Sequence, residues 1–173
     1  RTSAEWLLTA NNSITAALTG KLIPQTIVFT ILGMISNILL YKHMGYPLHS
    51  SIIWMFFVTF MYVLAYQAIG VLIIGITPVL RDGITIAAVF GLVGITMAGA
   101  TFPVEQLVYQ IQIFSHLFPI RHYFIIYVNQ ALNGLPLAYS IINIAALVGF
   151  TFLPLIVLKR LKKAAINQNF PIK

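Results

Sequence analysis

Four stretches of this chain are apolar enough, and long enough, to cross a lipid bilayer. A hydrocarbon core of about 30 Å takes roughly 20 helical residues to span. Residues 22–41 carry no charge between Leu22 and Tyr41, residues 51–77 are long enough to cross with tilt, residues 84–101 are rich in Gly and Ala, and residues 136–158 run into Lys159, Arg160, Lys162 and Lys163. Such runs leave little choice of fold. In lipid every backbone polar group must find its partner inside the protein, and repeated apolar runs of this length meet that demand as helices.

Composition agrees. Apolar residues make up 60% of the 173 and charged residues 8%, against about 25% charged in an ordinary soluble domain. So few charges cannot cover a water-facing surface. Ten Lys and Arg against three Asp and Glu give a net charge of +7, but the cations sit at the ends of apolar runs. That distribution fits membrane surfaces rather than a nucleic-acid groove. With no cysteine, disulfide staples and Cys-based metal or redox sites are excluded. The chain opens on Arg1-Thr2-Ser3 without an initiator Met or a signal-peptide pattern and reads as a piece of a longer protein.

Residues 1–20 form an amphipathic pattern. Trp6, Ala10, Ile14, Ala17 and Leu18 fall on one side of a helix, and Glu5, Thr9, Asn12 and Thr19 on the other. The polar side lacks the Lys and Arg usual in a lipid-surface helix, which suits docking to a protein as well as resting on lipid. Residues 103–134 are too polar for a lipid-facing span, with Glu105, Gln106, Gln110, Gln112, His116, Arg121, His122 and Asn129, and too apolar for a loop. Pro119 divides them into pieces of about 13 residues, each reaching about 20 Å as a helix. This segment is expected to be a re-entrant helical hairpin, buried in protein or lining a wet cavity.

Charge counting supports that reading. If the hairpin returns to its own side, Arg1, Lys21, Arg81, Lys159, Arg160, Lys162, Lys163 and Lys173 share one face, and Lys42 and Arg121 the other. If it crossed once, the basic tail at 159–173 would move away from Arg1, Lys21 and Arg81. The positive-inside rule prefers the first arrangement, with both ends cytoplasmic. The fold expected is therefore an all-α polytopic membrane protein forming one transmembrane domain over 1–173: an amphipathic N-terminal helix, four spans, and a re-entrant extracytoplasmic hairpin before the last.

Chemistry is sparse. His43, His49, His116 and His122 form pairs six residues apart, which is not a metal-ligand spacing on one helix face. No nucleophile motif occurs, and no Walker A sequence, so ATP hydrolysis by that route would need a separate subunit. No cofactor is called for. The spans lack the acids, bases and cations of a proton relay. Asn37, Gln67 and Asn143 are the polar residues deepest in the spans, placed to bridge helices or to line a pathway. Glu105, Arg121 and His122 in the hairpin are candidates for a gate.

With these features in place, the chain resembles the membrane-spanning permeases of ABC-2-type transporters. In that family a coupling helix with a pattern close to G-T-x-E-Q-L-L precedes G-K-L-x-P at the next span. Here Glu5, Leu7, Leu8, Gly20, Lys21 and Pro24 match, while Thr2, Ser3 and Trp6 stand where the pattern has Gly, Thr and Gln. Ala98-Gly99-Ala100-Thr101-Phe102-Pro103, Phe118-Pro119 and Leu132-Asn133-Gly134 follow the order of the family's small-residue span end, re-entrant pair and late glycine. The resemblance implies the C-terminal part of a bacterial exporter permease in the inner membrane, two spans preceding Arg1, a homodimer or heterodimer of permeases, and a separate ATPase. It further implies that Glu5, Trp6, Leu7, Leu8 and Ala10 contact that ATPase. A passive channel, a secondary transporter, a hairpin-based membrane enzyme and a scaffold are the rival readings.

Overall fold

The structure is a computed structural model that describes residues 10–11, 13–77, 79–100 and 103–166. Four helical stretches have the length and apolarity of membrane spans: Ile14–His43, Ile52–Ile76, Leu80–Met97 and Leu137–Ala165. Among the described residues there is no strand. The fold is all-helical, as the apolar runs require.

Helix α1 covers Ile14–Ile38 and passes without a break into a π-helical turn at Leu39–His43. Its start differs from the expected boundary at Leu22. Ala10 and Asn11 form a turn, with Asn11 in the left-handed region at φ 53°, a conformation that Asn tolerates better than most residues. The Ala10 carbonyl accepts the Ser13 amide at 3.0 Å, and the Ser13 hydroxyl caps the helix by accepting the Ala16 amide. The cap therefore begins α1 eight residues early. Residues 14–20, assigned by pattern to the amphipathic segment, belong to the same rod as the first span. Ile14 and Ala17 are buried in this part of the rod and Thr19 is exposed.

Helix α2 (Ile52–Ile76) is the most enclosed of the four spans, and α3 (Leu80–Met97) is the shortest. Arg81 and Asp82, expected in a surface turn, are exposed in the first turn of α3, where an acid suits the positive end of the helix. After a 3-10 turn at Val104–Gln106, the hairpin consists of α4 (Tyr109–Ser115) and α5 (Pro119–Ile126), extended by a π-helical turn at Tyr127–Leu132. Pro119 opens α5, where its missing N–H is not needed.

A 3-10 turn at Leu137–Ser140 leads into the last span, which is two helices, α6 (Ile141–Thr151) and α7 (Pro154–Ile166). Pro154 lacks the donor that would continue the ladder, so the helix breaks at Phe152 and Leu153. The basic segment expected as a tail from 159 is helical as far as Ile166. Its Leu158 and Leu161 pack with Ala165 on Ile14, while Lys159, Arg160, Lys162 and Lys163 stay exposed.

Contacts fix which elements share an end. At one end α7 meets the start of α1 through Ile14 and Ala165. At the other, Tyr41 and Met55 form a cluster with Ala131 of the hairpin, and the His49 amide donates to the Ala131 carbonyl at 3.0 Å. The hairpin thus leaves α3 and enters α6 at the same end of the bundle. Its middle reaches inward. Phe118 stacks on Phe90 with centroids 4.7 Å apart, and Phe90 lies seven residues before Met97, about 10 Å along α3.

An aromatic seam joins these parts: Tyr62 with Tyr123 at 4.7 Å, Tyr62 with Tyr66 at 5.0 Å, Tyr66 with Phe90 at 6.4 Å, then Phe118. Gly94 gives it room, since a Cβ there would lie 2.9 Å from the Tyr66 hydroxyl and 3.2 Å from Phe118. Of the two small-residue pairs in the sequence, Gly94 and Ala98 are buried inside the chain, whereas Ala145 and Gly149 are exposed.

Helix α7 approaches α2 most closely at Gly75, where a Cβ would fall 2.7 Å from Val157, whereas a Cβ at Gly91 would meet nothing within 4 Å. Gly75→Val is expected to cost about 1–3 kcal/mol by overpacking and to lower the melting temperature of the purified permease. Gly91→Val should leave it within about 0.5 kcal/mol of the parent. Equal melting of the two variants would contradict this packing.

Candidate functional site

The candidate residues fall into three polar groupings at helix junctions. The first joins α1, α2 and α5. Asn37, 7% exposed, donates through Nδ2 to the Gly33 carbonyl at 2.9 Å and to Thr59 Oγ1 at 3.2 Å. Thr59 donates its single proton to the Met55 carbonyl at 2.8 Å. The Tyr123 hydroxyl, 3.3 Å from Thr59 Oγ1, is therefore the donor of that pair. Thr59 is fully used, accepting twice and donating once. Helices α1 and α2 come close here because residue 33 is glycine: a Cβ would lie 2.5 Å from Thr59 Cγ2.

The second grouping lies nearer the other end. Gln67 meets Thr26 Oγ1 at 2.8 Å, and Thr26 Oγ1 also lies 2.9 Å from the Leu22 carbonyl. One hydroxyl proton cannot serve both acceptors. The pattern resolves when the Gln67 amide turns to donate to Thr26 and Thr26 donates to Leu22.

The third grouping ties the hairpin to the last two spans. Arg121 is buried, with Nη1 3.3 Å from the Ala98 carbonyl. Ala98 ends α3, and Gly99 behind it is left-handed at φ 95°, the usual way a helix stops on glycine. A guanidinium here meets the negative end of the helix. Gly99 also has no Cβ where one would run into Arg121 Nη1. Next to it, buried His122 bridges two acceptor positions: Nε2 lies 3.0 Å from the His116 carbonyl and Nδ1 2.9 Å from Asn143 Oδ1. A carbonyl only accepts, so Nε2 carries a proton. In a neutral ring Nδ1 then accepts from the Asn143 amide turned half around, and in a charged ring it donates to the oxygen as placed. The His116 and His122 rings stand 5.3 Å apart. Desolvation, aided by the neighbouring His122 and Arg121, holds the His116 imidazole below its ordinary pKa.

Asn143 and His122, named separately from the sequence, are thus one pair. Asn37 and Gln67 each bridge α1 and α2 but do not meet. Glu105 lies in the 3-10 turn Val104–Gln106. Ala10 is in the turn before α1, while Glu5, Trp6, Leu7 and Leu8 lie outside the described residues. Thr59, Tyr123 and Thr26 escaped the sequence reading, and Gly99 entered it only as part of the motif that ends the third span. The available signals were a hydroxyl inside an apolar run, for Thr59, and a glycine closing a span, for Gly99.

Two of the cavities beside these groupings lie against α1. One of about 340 Å³ lies between α1, α2 and α5, against Asn37, Thr59 and Tyr123. The other, about 400 Å³ and largely apolar, opens at the end where α1 starts, between Leu18, Leu22, Ile74, Leu80 and Leu161, with Lys21 and Gln25 at its edge.

The family described as "ABC-2 family transporter protein" matches residues 1–158, nearly the whole chain. The chain belongs to that family. No curated protein and no solved structure matches it significantly. This ABC-2 chain is a multi-pass membrane permease component of ABC-type transport, in a family whose membrane subunits are not themselves catalytic and associate with an ABC ATPase.

Arg121 and Gly99 make one joint. Arg121→Gln and Gly99→Ala are each expected to destabilise the permease by about 1–3 kcal/mol. Because they break the same contact, the double variant should lose clearly less than the sum, read from thermal unfolding of all four proteins. Strict additivity would contradict the joint.

Proposed function

We propose that this chain is the pathway-forming part of an ATP-driven exporter permease. It works as a dimer in a bacterial inner membrane and is driven by ATPase subunits on separate chains. Both ends of the chain are cytoplasmic. The hairpin at 103–134 enters the outer leaflet and returns, capping the cavity on the outer side. Glu5, Trp6, Leu7, Leu8 and Ala10 form the contact with the ATPase.

The observation that carries this reading is the rod Ile14–His43. It starts beside the lysine-rich helix α7, directly after the Ala10–Asn11 turn, and ends against the hairpin cluster of Tyr41, Met55 and Ala131. A push delivered to residues 1–12 enters a single helix whose far end abuts the outer cap. The positive charges of α7 beside its foot favour the cytoplasmic side for that end. Phe118 at the level of Phe90 supports a hairpin that dips rather than rests on the surface. Asn37 and Gln67 couple the rod to α2, and Arg121, His122 and Asn143 couple the hairpin to α3 and α6. Tilting α1 would shift both sets together, and the helix groupings would then act as the gate.

The test replaces Trp6 and Leu7 with Ala in the complete permease. Loss of two apolar side chains from that contact is expected to weaken ATPase association by about tenfold or more and to reduce substrate-stimulated hydrolysis and export in parallel, with the permease still inserted. Unchanged association and export would sink the coupling role.

A further inference from the structure

We propose that the cavity between α1, α2 and α5 is a binding site for a neutral, flat amphiphile that donates one hydrogen bond to Asn37 Oδ1. The inference goes beyond export. It requires neither the direction of transport nor the ATPase contact.

The argument begins with how the Asn37 amide is spent. Its Nδ2 has two partners, the Gly33 carbonyl and Thr59 Oγ1. The Gly33 carbonyl can only accept, so the nitrogen must face it and the orientation of the amide is fixed. The oxygen is left over. Thr59, the nearest hydroxyl, has its one proton on the Met55 carbonyl, and Tyr123 directs its own toward Thr59. Oδ1 accepts nothing from the described residues, and it is not among the sealed polar atoms of the interior. It belongs to a side chain that is 7% exposed and that lines the cavity. A strong acceptor held in an apolar surrounding without a donor is costly, and a ligand donor would relieve that cost.

The walls define the rest of the ligand. Tyr62, Tyr123, Phe124 and Tyr127 supply aromatic faces, with Gly33 and Leu40 between them. Tyr62 and Tyr123 are tilted by only 32° at 4.7 Å, so the aromatic surface suits a planar body. Among the described residues no Lys, Arg, His, Asp or Glu lines the cavity. A charged ligand would be desolvated there without a counter-charge, which selects a neutral one. The volume, about 340 Å³, is in the range of small-molecule sites. It is about ten times the share of one water in the liquid, and an ordered water needs two to four polar partners.

The test uses the complete permease in phosphatidylcholine nanodiscs near neutral pH, with 2-naphthol as probe and 2-methoxynaphthalene as its donor-free counterpart. Equilibrium dialysis against empty nanodiscs measures saturable binding. The parent protein is expected to prefer 2-naphthol by about fivefold or more, the worth of one hydrogen bond. Asn37→Leu should bring the two ligands to equal affinity. Ser36→Phe, on the exposed edge of α1 and outside the Asn37–Thr59–Tyr123 chain, fills the cavity and should abolish saturable binding of both. It keeps the test decisive if Asn37→Leu fails to fold. Equal affinity in the parent would overturn the proposal. So would saturable binding that survives Ser36→Phe, a preference retained by Asn37→Leu, or no saturable binding at all, the result expected if another helix of the assembly covers the cavity.

Discussion

A buried guanidinium in an apolar bundle is expensive unless something negative is built around it. Arg121 is such a group, and the end of α3 is what this chain builds. The last carbonyls of a helix carry partial negative charge and lack intrahelical donors, so Ala98 and Arg121 meet each other's need. Gly99 makes the approach possible twice over, by stopping the helix in the left-handed region and by leaving out a side chain. The hairpin is thereby fixed to the third span. His122, one residue on, fixes it to the fourth through Asn143. One dipeptide sets the position of this whole end of the bundle.

The opposite end depends on a different kind of contact. Ile14 with Ala165, and Gly75 with Val157, are close apolar packings. Between the two ends α1 is an unbroken rod that touches α2 through two polar links, at Gln67 and at Thr59. Polar links inside an apolar bundle favour discrete arrangements, because a half-made hydrogen bond there is worth less than either a whole one or a new partner.

Much of this was legible before any coordinates. The four spans follow from charge-free runs, and the hairpin from a stretch too polar for lipid, divided at Pro119. The limits of the spans were less legible, because caps decide them locally. Ser13 starts α1 early, and Pro154 breaks the last span inside an apolar run that hydropathy alone reads as continuous. The partners of the polar residues were not legible at all. Asn37 finds Thr59, Gln67 finds Thr26 and Asn143 finds His122 across long sequence separations, and nothing in the local sequence pairs them. The two small-residue pairs look alike in sequence, yet Gly94 is buried against Tyr66 and Phe118, while Gly149 has open space around it.

The central claim is that the hairpin and the lysine-rich helix face opposite sides of the membrane. Introduced thiols test it directly, because this sequence contributes no cysteine of its own. Asn133, exposed where the hairpin ends, and Lys163, exposed on α7, are the positions to replace with Cys in a cysteine-free permease. A membrane-impermeant maleimide applied to intact cells is expected to label Asn133→Cys, and to label Lys163→Cys only after the membrane is opened. Labelling of Lys163→Cys in intact cells, or of Asn133→Cys only after opening, would contradict the account.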